Sequence, residues 1–175
     1  VYKIGLPFPT NDNPSINFDV GSDGSLYVSN GQDIYAGTLS GGFKKLYSAG
    51  NDFISELSAG IGGVALIEKN PDNGNRSLVV LHGGSKVRVP TSAGSLAWSP
   101  NGHELAALGG KGIGHIYTDS LGVSAYVPGA NASNPLWQND HSLIYSTGSQ
   151  VWSFDVSQEQ SKAVASLSAN QSIGS

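Results

Sequence analysis

A self-similar unit of about forty residues constrains this chain more than any other feature, because a repeat of that length dictates the fold before any local reading does. The stretches "SINFDVGSDGSLYVSNGQDIYAGTL", "GSLAWSPNGHELAALGGKGIGHIYTDSL" and "SNPLWQNDHSLIYSTGSQVWSFDV" share one order. Each has an apolar or aromatic pair, a polar turn of Gly, Asn and Asp, a short apolar alternation, a second polar turn and an apolar-aromatic pair. A degenerate fourth copy reads "ISELSAGIGGVALIEKNPDNGNRSLVVL". The residue before the first turn is Phe18, Leu57, Trp98 and Trp137, spaced by roughly 39, 41 and 39 positions. The second strand opens at Leu26, Val64, Leu105 and Leu143. The third carries Ile34-Tyr35, Leu78-Val79, Ile116-Tyr117 and Val151-Trp152, and a fourth apolar segment falls at 43–47, 86–89, 125–127 and 163–167.

Four short strands joined by Gly, Asn, Asp and Pro turns make a β-propeller blade. The expected fold class is therefore all-β, a propeller of four-stranded antiparallel blades. Blades are expected over 16–50, 51–92, 93–131 and 132–170, with a leading strand and linker over 1–15 and a tail over 171–175. Composition agrees: 24 Gly and only 13% charged residues suit a turn-rich β chain better than helices. On this reading Trp98 is an inter-blade packing residue in a slot shared with Phe18, Leu57 and Trp137, since aromatic side chains act mostly through buried area. "SPNG" is a turn: Pro100 fixes φ at the corner, and Asn101 and Gly102 tolerate the left-handed conformation, with Gly24 of "GSDG" as counterpart.

"LAWSPNGHELAAL" followed by "HIYTDSLG" resembles the WD40-like (PD40) repeat of the TolB type: an apolar strand, Trp-Ser-Pro-Asp-Gly, a second apolar strand, then Ile-Tyr and an Asp-Leu turn. Asn101 stands where that family usually has Asp. "PLWQNDHSLIYS" with "VWSFDV" matches less closely. The resemblance implies a propeller and leaves function open, since such repeats occur in periplasmic and surface proteins of bacteria that bind other proteins and in propeller domains attached to serine peptidases. The family's rings usually have six to eight blades, so these four and the orphan "VYKIGLPFPT" are expected to be part of a larger propeller, completed by further blades or by self-association. Without a leading Met, Val1 is expected to arise by processing or excision.

Catalytic signatures are not found. "GIGGVA" matches G-x-G-x-x-A in letters, but only five residues precede the breaker "PDNGN", too few for the helix that motif needs. "GGKGIG" lacks the G-K-[ST] of a P-loop. His82, His103, His115 and His141 show no metal-ligand spacing, no G-x-S-x-G occurs, and "NDN" lacks the calcium-loop pattern. Cys is absent, which removes thiol chemistry and Cys-ligated zinc. No cofactor and no enzymatic activity are expected. The net charge of −4 with nine scattered Lys and Arg argues against nucleic acid, and no apolar run is long enough to insert in a membrane.

The expected role is a non-enzymatic module of a periplasmic, cell-surface or secreted protein, binding a protein partner through loops of one propeller face. The first candidates for contact are Arg76, Lys111 and His115, with Asp72 and Lys69 beside Arg76 on the longest loop. Two alternatives are a gating propeller of a larger serine hydrolase and a glycan-binding propeller.

Overall fold

The structure, a computed structural model, describes residues 5, 6, 8, 16–40, 42–61, 63–110, 112–129 and 131–166. The expected leading strand, the tail, Leu167 and Lys111 lie outside the described residues or nearly so. Sixteen strands are formed, and among the described residues there is no helix, hence none long and apolar enough to cross a membrane. They make four sheets, each of four consecutive antiparallel strands. Blade 1 comprises β1 (Asn17–Val20), β2 (Leu26–Ser29), β3 (Asp33–Gly37) and β4 (Lys44–Ser48). Blade 2 comprises β5 (Phe53–Gly60), β6 (Gly63–Lys69), β7 (Arg76–His82) and β8 (Ser85–Thr91). Blade 3 comprises β9 (Ser95–Trp98), β10 (Glu104–Leu108), β11 (Gly114–Thr118) and β12 (Val123–Val127). Blade 4 comprises β13 (Ala132–Asn139), β14 (Ser142–Thr147), β15 (Gln150–Asp155) and β16 (Gln160–Ser166).

Two compact units result, 1–91 holding blades 1 and 2, and 92–175 holding blades 3 and 4. In the first unit Tyr27 and Ile34 of blade 1 are buried with Leu57, Val64, Leu66 and Val79 of blade 2. In the second, Ala106, Ile116 and Ala125 of blade 3 form a shallow bed of small and branched side chains, buried with Trp137, Leu143, Tyr145 and Phe154 of blade 4. Burial of this apolar area is the principal force holding each pair of blades together.

The strand pairing corrects the repeat register. Leu26, Val64, Leu105 and Leu143 lie opposite Val20, Ala59, Trp98 and Trp137, which are spaced by a constant 39 positions. Trp98 and Trp137 are thus equivalent, whereas Phe18 and Leu57 sit two residues earlier on their strands, level with Leu96. The slip arises in blade 2 because β5 continues past Leu57 to Gly60 and turns tightly into Gly63. Alternate strand residues share a face, so Leu57 still packs between blades while Phe18 is 71% exposed. Trp137 is buried and donates Nε1–H to the Ala97 carbonyl at 2.9 Å, whereas Trp98 is only half-buried. Equal burial of the two tryptophans is therefore not what the fold provides.

The "SPNG" turn is held by side chains. Ser99 Oγ accepts from the Glu104 amide at 3.0 Å, and Asn101 Oδ1 accepts from Ser99 Oγ at 2.7 Å and from the His103 amide at 3.0 Å. Pro100 is exposed at the corner. Gly102 alone takes the left-handed conformation, at φ 72°, as Gly24 does at 80° in blade 1; Asn101 does not. The Asn101 amide instead donates to Asp140 Oδ1 in the corresponding turn of blade 4, at 2.8 Å.

Candidate interaction surface

The β6–β7 hairpin carries three of the five residues singled out for binding. Lys69 ends β6 and pairs across the ladder with Arg76, which opens β7; Asp72 lies at the tip between them. Lys69 and Asp72 are exposed and Arg76 is half-buried. Asn70 shapes the tip, because short amide side chains hydrogen-bond readily to the backbone just ahead of them. Its Oδ1 accepts from the amides of Asp72 at 3.0 Å and Asn73 at 3.1 Å, and Gly74, at φ 73°, closes the turn by donating to the Asn70 carbonyl.

The other side of Asn70 reaches a charged network that anchors this hairpin. Asn70 Nδ2 donates to Asp52 Oδ1 at 2.9 Å, and Asp52 Oδ2 accepts from Arg88 at 2.9 Å. Arg88 also lies 3.1 Å from Glu68 Oε2, and Glu68 Oε1 accepts the Tyr47 hydroxyl at 2.6 Å. The network joins β4, the β4–β5 link, β6 and β8, so it spans blades 1 and 2. Burial, with the Glu68 carboxylate beside it, pushes the Tyr47 phenol well above its ordinary 10.0, which keeps it a hydrogen-bond donor. The hydrogen bond to Asp52, outweighing desolvation, raises the Arg88 guanidinium further. Glu68 has no exposed side-chain surface, and Oε2 makes no hydrogen bond of good geometry, so it depends on the Coulomb attraction of Arg88.

Sequence reasoning missed this network, although β6 carried a sign of it. "GVALIEK" sets one carboxylate at the end of an apolar strand, and a buried acid demands a partner. Asp52 and Arg88 are remote in sequence, and only the sheet brings them to Glu68.

His115 has separate surroundings in the second unit. It lies on β11, stacked on Tyr117 with ring centres 5.6 Å apart and edge-on to Tyr126 at 5.3 Å. Tyr126, opposite His115 on β12, and Ile113, two residues before it, are exposed. The structure therefore gathers Lys69, Asp72 and Arg76 on one hairpin and gives His115 an aromatic setting of its own. Among the described residues, no three His, Asp or Glu side chains gather as metal ligands would.

No family model matches the chain, and no curated protein matches it. Among solved structures, it is similar to a propeller chain in the crystal structure of a mitotic checkpoint complex, with TM-score 0.57 and 16% sequence identity. The likeness covers 87% of this chain and 51% of that one, so the chain spans about half the length of that neighbour. At this identity the likeness shows the fold: the four sheets are β-propeller blades.

Proposed function

We propose that this chain is a non-enzymatic interaction module that binds a protein partner through the β6–β7 hairpin. The observation that carries the reading is the construction of that hairpin. A tip exposing Lys69 and Asp72 is locked by Asn70 and tied through Asp52, Arg88, Glu68 and Tyr47 to both blades of its unit. A rigid loop presents charge at a lower entropic cost on binding than a floppy one, and binding residues concentrate on loops set on rigid scaffolds. The neighbour's membership of a multiprotein complex agrees with a propeller serving as a docking element. The finer reading follows the resemblance in "LAWSPNGHELAAL" to the TolB-type repeat: a propeller of the bacterial envelope or of a secreted protein.

The test places a photo-crosslinking residue at Asp72 and a control at exposed Gln158 in cells expressing the protein. A discrete crosslinked product at position 72, absent at 158 and lost when Lys69→Ala is added with unchanged thermal stability, supports the proposal. Equal crosslinking at both sites, or none at Asp72, rejects it.

A further inference from the structure

At the other end of β7 from the binding hairpin, the same unit contains a groove with a different character. A cavity of about 290 Å³ opens between β4 and the β7–β8 turn, lined by Leu46, Tyr47, Leu81, His82, Gly84 and Lys86. Its body is aliphatic and aromatic, and Leu46 is 48% exposed there despite lying on a strand. Its rim is basic. Lys86 Nζ stands 5.4 Å from the centre of the Tyr47 ring, and that ring is held in turn by the bond from its hydroxyl to Glu68. A cation over an aromatic face is attracted by the ring quadrupole. Among the described residues no carboxylate lines the groove; Glu68, bonded to Tyr47, and Asp52 are engaged by Tyr47, Arg88 and Asn70. A chain of net charge −4 thus displays a cationic mouth above apolar walls. The turn beside it leaves room for a ligand, since nothing lies within 4 Å of where a Cβ on Gly84 would stand.

We propose that this groove binds an extended acidic peptide segment, seating one aliphatic side chain against Leu46 and Leu81 while an adjacent carboxylate meets Lys86 and His82. Charge complementarity selects the acidic partner, and the volume, just under the range of about 300–1,000 Å³ typical of small-molecule pockets, suits one or two side chains. The surface is separate from the hairpin tip and does not depend on it.

The experiment is an NMR titration of the ¹⁵N-labelled chain at pH 7 with three probes. They are an acetylated, amidated Leu-Glu-Leu-Glu peptide, its Leu-Gln-Leu-Gln counterpart, and inorganic phosphate. The expected result is saturable shifts of the Leu46, His82 and Lys86 amides with the glutamate peptide, weaker binding of the glutamine peptide, and no matching response to phosphate. Lys86→Met weakens the glutamate peptide about threefold, the scale of one exposed charge pair, and Lys86→Glu reverses the preference between the two peptides. Leu46→Ser, on an exposed position, weakens both peptides without lowering Tm. Equal binding of the two peptides, shifts confined to other residues, phosphate reproducing the peptide's effect, or no saturable shift each overturns the proposal.

Discussion

The two blade junctions occupy equivalent places in the repeat and are held by opposite chemistry. Where blade 2 has Glu68, four residues beyond Val64, blade 4 has Thr147, four beyond Leu143. Arg88, opposite Val79, corresponds to Ala163, opposite Trp152. Thus the first junction sets Glu and Arg where the second sets Thr and Ala. The second junction is held by large rings on small residues and by ring-to-backbone hydrogen bonds, from Trp137 Nε1 to Ala97 and from the Tyr145 hydroxyl to Pro128 at 2.9 Å. The difference teaches that the blade framework demands close contact at these positions and leaves its chemistry open. An ionic junction costs desolvation that an apolar one does not, and here the ionic one supports the hairpin with the exposed charges.

The largest expected effect tests the apolar junction. Trp137→Ala should destabilise by roughly 3–5 kcal/mol, as large core truncations do, with a further contribution from the orphaned Ala97 carbonyl. Trp98→Ala, at the equivalent but half-exposed position, should cost roughly 1–2 kcal/mol. Equal losses in urea melts would contradict the difference in burial.

The ionic junction should break less severely and be repairable. Arg88→Met leaves Glu68 buried without its counter-charge and should cost roughly 2–3 kcal/mol, below the full figure for a buried pair because Arg88 is half exposed. The triple variant Y47F/E68L/R88M, which gives the first junction the apolar character of the second, should recover most of that loss. A triple variant less stable than R88M would show that the charges stabilise the junction outright.

Tyr47→Phe should cost about 1–2 kcal/mol at neutral pH by removing a donor from a buried carboxylate. Its pH signature is more specific. The folded-state pKa of Tyr47 is raised, so its contribution is complete below its ordinary 10.0 and is lost as pH rises through the folded value. Alkaline destabilisation above pH 10 should therefore be shallower in the variant. Tyr27, Tyr117 and Tyr145, also raised by burial, leave a residual slope. Identical slopes measured by pH-dependent melting would refute the assignment to Tyr47.

The smallest effect should come from Phe18→Ser, within about 0.5 kcal/mol for this chain, as for exposed substitutions generally. A large loss would mean that Phe18 packs as Leu57 does.

These contrasts show what the sequence made legible and what it hid. The strand count and order were readable because each turn announces itself with Gly, Asn, Asp or Pro. The register of Phe18 and Leu57 was not, because a strand repeats every two residues and a slip of two keeps every side chain on its face. Only the tight Gly60–Gly63 turn separates Leu57 from the slot of Trp98, and the apolar pattern does not register it. The hairpin from Lys69 to Arg76 was legible from its length and charge. Its support was not, because Tyr47, Asp52, Glu68 and Arg88 scatter over forty positions and three are ordinary residues for a surface strand or link.

The clasps between neighbouring blades have a kinetic meaning. Asn101 reaches Asp140 across 39 positions, Ala59 reaches Asp19 across 40, and Trp137 reaches Ala97 across 40. Closure entropy depends on the length of chain between partners, so each junction poses nearly the same search as the other, regardless of how much chain precedes it. A blade emerging from the ribosome can complete its contacts with the one before it as soon as its own forty residues are free. Assembly within each unit is then a local event, and a defect such as an unpaired Glu68 is felt first as a stall at its own junction.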